Sequence, residues 1–304
     1  MRLFDLAQNG DFEGVKDAIV NGADVMILDT EGRTALTYAV KEGHRDIVKF
    51  LLENGADVNS QNESGETVLM CAVEEGQTET CQLLLQNGAD VSSQGSDGEM
   101  ALIYAAMCGH HDIVRVLLEN GATVSSQNQC GETALTSAAE HGHTDIVKLL
   151  IEHGADVNSQ HIDGMTALLY AAREGSTEIV KLLIENGAHL NHQDYMKETA
   201  LMEAARWGHT EIVQLLIENG ANYEESLEIN VIKNALKELK EELCSEFVEM
   251  DGQQRSGHTR ESLMALKYED LKAMVEAHPS RLGQDPECVD SDEEASIVID
   301  SIEI

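Results

Sequence analysis

Histidine pairs are the residues of this chain whose type and spacing most directly suggest chemistry. Three of them, His110-His111, His141-x-His143 and His189-x-x-His192, carry imidazoles close enough in sequence to bind a metal ion or exchange protons. Histidine also follows glycine at four sites separated by multiples of 33 residues: His44, His110, His143 and His209. A side chain that recurs with a long period belongs to a repeated structural unit, so we predict no metal site.

Motifs for nucleophilic catalysis and phosphate binding are missing from the sequence. It contains no GxxxxGK[ST] P-loop, no GxSxG elbow and no HExxH zinc motif. Its many carboxylates recur as a repeated surface pattern rather than as a convergent pair. We therefore predict that the chain is not an enzyme and needs no cofactor.

The charge of the 304-residue chain narrows the partners, because 56 Asp and Glu stand against 20 Lys and Arg, for a net charge of -36. Such a surface repels nucleic acid and anionic lipid and favours basic protein segments.

No apolar run approaches a membrane span, and Asp5 interrupts the N-terminal stretch where a signal peptide is apolar. The six cysteines form no CxxC pair, which is typical of free thiols in a reducing compartment. We expect a monomer in the cytoplasm, with the nucleus as a second compartment.

A repeat of 33 residues organises the chain from Leu3 to Ser226 without a gap. Leucine recurs at Leu3, Leu36, Leu69, Leu102, Leu135, Leu168 and Leu201. A Gly-Ala pair recurs in the same register at Gly22, Gly55, Gly88, Gly121, Gly154, Gly187 and Gly220. Seven recurrences at fixed spacing predict seven stacked units, each too small to fold alone.

Each unit has the pattern of two short helices followed by a hairpin. In residues 128–160, Thr133 is placed to cap a first helix and Gly142 to end it in a left-handed turn. A second helix runs from Ile146 to Ile151 at helical spacing, and an extended segment leads from it into the next glycine turn.

The consensus D-x-x-G-x-T-x-L…A-x-x-x-G-H-x-x-I-V-x-x-L-L-x-x-G-A-D-V-N resembles the ankyrin repeat, with Asp29 to Val58 as a good example. The resemblance implies an all-α repeat solenoid of stacked helix-turn-helix units with projecting β-hairpin loops. We assign residues 1–226 to seven repeats, the first a truncated cap, and residues 227–250 to an amphipathic capping helix. A linker at 251–260, an amphipathic helix at 261–278 and a disordered acidic tail at 279–304 complete the prediction.

Proteins that resemble this family bind partners through the concave face, made by the hairpin tips and the exposed positions of each first helix. In the last two repeats this register holds apolar, aromatic and arginine side chains, the types enriched at interface hot spots: Ile162, Met165, Arg173, Tyr195, Met196, Arg206 and Trp207. Earlier repeats offer mostly carboxylates there, which we expect to steer a basic partner segment: Glu63, Glu66, Glu74, Glu75, Asp97, Glu99 and Glu132. The alternative is that Trp207 packs on the capping helix and that the carboxylates are ordinary solvated surface.

Two further features of the repeats follow from the register. Lys197 occupies the hairpin-tip position that is glycine in the other fingers, where a left-handed residue is expected and a side chain costs about 1–2 kcal/mol, so we expect this finger to have a different shape. Asn59 and Asn158 follow Asp-Val and are similar to ankyrin asparagines modified by the factor-inhibiting asparaginyl hydroxylase; each is also simply a hairpin residue.

The C-terminal tail carries short motifs for regulation. Ser291 lies in an acidic run that resembles a casein kinase two site. Ile297 to Asp300 resembles a SUMO-interacting motif, and Ile302 to Ile304 a PDZ ligand, with a frayed tail as the alternative for both.

These features predict a protein-binding adaptor with a regulatory tail. A second interpretation is an inhibitor of a transcription factor, in the manner of the NF-kappaB inhibitors, although we expect no N-terminal phosphodegron extension of the kind that those inhibitors carry. A third is the targeting subunit of a phosphatase or ubiquitin ligase, for which the sequence shows neither an F-box nor a SOCS-box pattern.

Overall fold

Short helices follow one another in pairs along the described part of the protein. The computed structural model describes residues 2–95, 98, 100–223, 237–241, 243–245, 263, 264, 266, 268 and 271–273. Its helices are α1 (Leu3–Gln8), α2 (Phe12–Val20), α3 (Ala35–Lys41), α4 (Arg45–Glu53), α5 (Val68–Glu74), α6 (Thr78–Gln86), α7 (Ala101–Met107), α8 (His111–Glu119), α9 (Ala134–Glu140), α10 (Thr144–Glu152), α11 (Ala167–Glu174), α12 (Thr177–Glu185), α13 (Ala200–Trp207) and α14 (Thr210–Glu218).

The chain divides into two compact units, Met1–Trp207 and Gly208–Ile304. In the first unit, the first helix of each repeat packs on the first helix of the next, from α1 through α3, α5, α7, α9 and α11 to α13. The second helices α2, α4, α6, α8, α10 and α12 form a parallel row in the same way. The predicted all-α stack of helix pairs is confirmed, because the helices form two layers in which each repeat contacts its neighbours.

Local sequence sets where the helices begin, and packing makes them stable. Thr34, Thr67 and Thr133 precede α3, α5 and α9, and each hydroxyl accepts a hydrogen bond of 3.2 Å from the backbone N–H three residues later. Such caps stabilise a helix start by about 1 kcal/mol. Helices of this length are unstable alone, so their stability depends on buried leucines such as Leu36 and Leu135 between the layers.

Tight hairpins join one repeat to the next. In the finger at residues 62–66, Asn62 N–H donates to the Glu66 carbonyl at 3.1 Å, and the same bond closes the fingers at 29–33, 128–132, 161–165 and 194–198. Successive fingers are also bonded tip to tip, since Glu63 N–H donates to Glu31 O at 3.0 Å and Ile162 N–H to Cys130 O at 2.8 Å. Backbone hydrogen bonds therefore join the finger at 29–33 to that at 62–66, and the finger at 128–132 to that at 161–165.

The first finger contains a carboxylate with an unusual titration. Tyr38 Oη donates to Asp29 at 2.7 Å and Arg33 Nε at 2.9 Å, while the backbone N–H groups of Glu31 and Arg33 donate to the same side chain. Partial burial opposes the charged form, but these hydrogen bonds outweigh it and hold the pKa of Asp29 well below its usual range. The ionised carboxylate thus fastens the finger to α3.

The second unit has a small core of its own. Cys244, Leu263 and Leu271 are fully buried together, with Leu243 and Met264 against them. Lys272 Nζ donates to the carbonyl oxygen of Glu218, at the end of α14, at 2.8 Å. The described parts of the predicted helices at 227–250 and 261–278 therefore pack on each other. The linker at 251–260 and the tail at 279–304, with Ser291 and its neighbouring motifs, lie outside the described residues.

Candidate partner-binding surface

Apolar and aromatic side chains of the last finger and of α13 are exposed to solvent. Tyr195 and Met196 at the finger tip are among the most exposed large hydrophobic residues, and Trp207 at the end of α13 is 61% exposed. Polar residues lie beside them in the sequence of the same finger and helix, and we call the whole set the Trp207 platform: Tyr195, Met196, Glu198, Glu203, Arg206 and Trp207. Trp207 is thus solvent-accessible rather than part of the core.

Ion pairs and hydrogen bonds connect four members of the Trp207 platform, Glu198, Glu203, Arg206 and Trp207. Arg206 Nη1 donates to Glu203 Oε1 at 2.8 Å, and Arg206 Nη2 pairs with Glu198 at the base of the finger. The hydrogen bond that Arg206 donates to Glu198 raises the pKa of the guanidinium above its usual value. Trp207 Nε1 donates to Glu203 Oε2 at 3.2 Å. One carboxylate therefore fixes both the arginine and the indole.

Glu203 was missed by the sequence analysis, although the repeat register carries a signal for it. In the second to sixth repeats the equivalent positions are Tyr38, Cys71, Tyr104, Ser137 and Tyr170, and in the first repeat Asp5, so Glu203 is the one glutamate in this slot. Glu203 is only 5% exposed. A buried carboxylate is costly unless it is paired, and its two partners, Arg206 and Trp207, supply that pairing.

Ile162 and Arg173, in the sixth repeat, differ in their availability. Ile162 is exposed at its finger tip. The Arg173 side chain is held by Glu140 at 3.2 Å and by Glu174 at 3.1 Å, and its guanidinium lies 5.0 Å from the centre of the Tyr170 ring. Arg173 therefore links the fifth and sixth repeats, and a partner would meet it already engaged.

Met165 does not belong to the surface, contrary to the prediction. It is 5% exposed and lies in the hydrophobic core. The equivalent slot is half-buried in other repeats, where the side chains of Arg33, Glu66 and Glu198 are 23–26% exposed. Polar side chains extend from this slot toward water, whereas an apolar one turns inward.

The predicted carboxylates fall into free and engaged groups. Glu63, Glu74 and Glu75 are exposed, and the described residues place no cation within 4.0 Å of them. Glu66 pairs with Lys41 at 3.5 Å, while Glu132 accepts hydrogen bonds from Ser137 at 2.6 Å and from Asn128 at 2.9 Å. Asp97 and Glu99 lie outside the described residues.

Asn59 and Asn158 bridge neighbouring repeats. Asn59 Nδ2 donates to Gly88 O at 3.1 Å, and Asn59 Oδ1 accepts from Asp90 N–H at 2.8 Å. Asn158 makes the same pair of bonds, to Gly187 O at 3.2 Å and from His189 N–H at 2.8 Å. Each side chain has a structural role, and its enzymatic modification stays a prediction.

Two histidines of the Gly-His positions also join repeats. His44 Nε2 lies 3.1 Å from Gln8 O, and His143 Nε2 lies 3.0 Å from Met107 O, a distance that suits an N–H donor on each ring. A Cβ on Gly109 would lie 2.7 Å from the His143 ring, so glycine there makes room for it. Among the residues that the structure describes, no group of three His, Cys, Asp or Glu side chains could hold a metal ion. Within the same residues, no helix combines the length and apolar character needed to cross a membrane.

Comparison with known proteins identifies the repeat. A family model described as ankyrin repeats (3 copies) matches residues 3–95, 90–161 and 156–226. The crystal structure of the ankyrin repeat domain of Bcl-3, described as a unique member of the IkappaB protein family, is similar to this chain, with 26% sequence identity and a TM-score of 0.62. The match covers 71% of this chain and 98% of that one. A comparison with curated proteins found no match.

Proposed function

The chain belongs to the ankyrin-repeat family, and from this premise we propose that it is a non-catalytic adaptor that binds a basic segment of a protein partner. The Trp207 platform is the observation that carries the proposal. It presents an exposed indole, a phenol and a thioether beside a guanidinium, and Trp, Tyr, Met and Arg are enriched at protein interfaces.

The order within the Trp207 platform favours tight binding. Trp207 is held through its N–H by Glu203, and Arg206 is held at both of its terminal nitrogens. Side chains that are fixed before binding lose less rotational freedom when a partner arrives, and each rotamer-rich side chain left mobile would cost about 0.5–1.5 kcal/mol.

The negative charge of the chain favours a positively charged partner. The net charge is -36, and Glu63, Glu74 and Glu75 are exposed carboxylates of the third repeat. Carboxylates of this kind raise the association rate of a cationic partner more than they raise its affinity. We therefore propose that the sixth and seventh repeats anchor the partner, and that carboxylates of the earlier repeats raise its association rate.

The test is affinity capture from a cell lysate with the full-length chain, followed by kinetic binding measurements on the protein captured. We expect Trp207→Ala to weaken that binding by roughly 30-fold, the equivalent of a 2 kcal/mol hot spot. A second variant, Glu63→Gln/Glu74→Gln/Glu75→Gln, is expected to slow association and leave dissociation unchanged. The control for its loss of charge is Glu152→Gln/Glu185→Gln, at exposed positions that end α10 and α12.

The same binding measurements can contradict the proposed anchor and the proposed steering. If Trp207→Ala keeps its circular dichroism spectrum and binds the captured partner as tightly as wild type, the Trp207 platform is not the anchor. If the glutamine triple variant associates at the wild-type rate at low salt, steering by these carboxylates is wrong.

Inhibition of a transcription factor is the second candidate, and the similarity to an IkappaB-family ankyrin domain favours it. The mechanism would be masking of a basic nuclear-localisation segment by the acidic repeats. Fluorescence anisotropy with a labelled peptide carrying such a segment tests it, because specific masking requires binding that persists at physiological salt. Loss of binding at that salt would reject this candidate and leave the general adaptor proposal standing.

Regulation by the tail is part of the same proposal. Phosphorylation of Ser291 would add further negative charge to an already acidic segment, and a SUMO or PDZ partner would bind beyond it. We place this activity in the cytoplasm, with the nucleus as a second compartment.

A further inference from the structure

The first repeat exposes three consecutive large apolar side chains. Met26, Ile27 and Leu28 follow α2 and lead into the first finger, and they are 40%, 43% and 55% exposed. Val20, the last residue of α2, is exposed as well. We call residues 26–28 the first-finger apolar segment.

The other repeats of the same chain show that the fold does not require these residues. At the equivalent three positions they are polar throughout: Asn59-Ser60-Gln61, Ser92-Ser93-Gln94, Ser125-Ser126-Gln127, Asn158-Ser159-Gln160 and Asn191-His192-Gln193. The slot of Val20 is likewise polar elsewhere: Glu53, Gln86, Glu119, Glu152, Glu185 and Glu218. The apolar character is therefore specific to the first repeat, and stacking does not explain it.

The apolar residues replace a stabilising contact. At the position of Met26, Asn59 and Asn158 each make two hydrogen bonds to the following repeat. The backbone N–H of Asp57 is equivalent to that of Asp90. It contacts only the Met26 thioether, at 3.4 Å. A thioether is a weak acceptor, so the first repeat lacks a strong bridge that two other repeats have.

The charges around the first-finger apolar segment are negative. Asp24 and Asp57 flank it, since Met26 N–H donates to Asp24 Oδ1 at 2.9 Å and Asp57 N–H contacts Met26. Among the described residues, neither carboxylate has an ion-pair partner within 4.0 Å. The nearest cations in sequence are already engaged, Lys16 by Glu13 and Arg33 by Asp29.

We propose that the first-finger apolar segment is a second protein-binding surface, separate from the Trp207 platform, and that it takes a basic amphipathic segment of a partner. The apolar face of that segment covers Met26, Ile27 and Leu28, and its Lys or Arg side chains pair with Asp24 and Asp57. A second copy of this chain fits poorly, because its net charge of -36 is repulsive.

The test measures the Kd with which the full-length chain binds each of two synthetic peptides at physiological salt. One is a helical Lys/Leu peptide with leucine on one face, and the other is a permuted isomer of the same composition without an apolar face. Both are titrated into chains carrying Trp207→Ala, so that the Trp207 platform does not contribute. The decisive variant is Met26→Asn/Ile27→Ser/Leu28→Gln, which installs the residues of the second repeat and leaves the charge unchanged. Ser125→Asn is the matched control at the same slot of another repeat.

We expect the triple variant to raise the Kd of the amphipathic peptide at least tenfold, while Ser125→Asn leaves it unchanged and the permuted peptide binds all chains alike. Equal Kd values for the amphipathic peptide on the triple variant and its parent would overturn the proposal. So would a dimer in sedimentation equilibrium that dissociates in the triple variant, since the occupant would then be a second copy.

Discussion

Replacing Lys197 by glycine is expected to stabilise the protein. Lys197 has φ of 66°, and among the described residues it is the one non-glycine with a positive φ. The five other finger tips hold glycine at φ values from 70° to 85°, at Gly32, Gly65, Gly98, Gly131 and Gly164. A side chain in the left-handed region costs about 1–2 kcal/mol, because its Cβ crowds the carbonyl oxygen.

The net gain is smaller than this cost. Glycine gives the unfolded chain more freedom and returns about 0.5–1 kcal/mol. The difference is a stabilisation of about 0.5–1 kcal/mol, equivalent to a rise in melting temperature of roughly 1–4 °C for a unit of this size. The hydrogen bond from the N–H of residue 197 to Asp194 O, 3.0 Å long, does not depend on the side chain and is kept.

Thermal unfolding followed by circular dichroism measures the effect, with Lys197→Ala as the control. Alanine removes the charge and the long side chain but keeps the Cβ, so it retains the backbone strain. The reasoning is refuted if glycine and alanine give the same melting temperature, since the benefit would then come from losing the lysine side chain.

Three further predictions concern other parts of the first unit. Hydrogen bonds such as that from Tyr38 hold the pKa of Asp29 low, so the stabilisation by its carboxylate is fully present above about pH 4 and is lost as the pH falls further. Asp29→Asn should therefore lower the free energy of unfolding at pH 7 and approach the wild-type value in acid. A difference from wild type that does not change with pH would contradict this. Asn158→Ala removes two bonds between repeats and should lower the free energy of unfolding in urea by about 1–2 kcal/mol, with no change in the m-value. Exposed Cys130 should react with iodoacetamide in the native protein, whereas burial raises the pKa of the Cys71 thiol and should protect it; equal labelling in a peptide digest would be the contrary result.

The fold could be predicted from the sequence because its determinants are local and repeated. Thr34 and Thr133 cap first helices where the pattern places them, and Gly109 leaves space for the His143 ring of the next repeat. A register that recurs every 33 residues also predicts which residues occupy equivalent positions. At Lys197 the register correctly indicated a left-handed position, but the expected change of finger shape is wrong, because Lys197 adopts a positive φ like the glycines and its finger closes with the same backbone bond.

The surface could be predicted only in part, because register fixes backbone position and not the direction of a side chain. Met165 and Glu66 occupy the same slot, yet the methionine is buried and the glutamate reaches Lys41. The roles of Glu203 and Met26 were also missed. Both become visible when each position is compared across the repeats for residues that break its pattern.

The asparagine bridges have a mechanical consequence. Within Met1–Trp207 each repeat contacts only its neighbours, so tension applied along the row of helices is carried by the junctions in series. Asn59 reinforces the junction of the second and third repeats and Asn158 that of the fifth and sixth, each with two hydrogen bonds. Under load these two junctions are expected to separate after those without such a pair of bonds, so the domain would extend in steps.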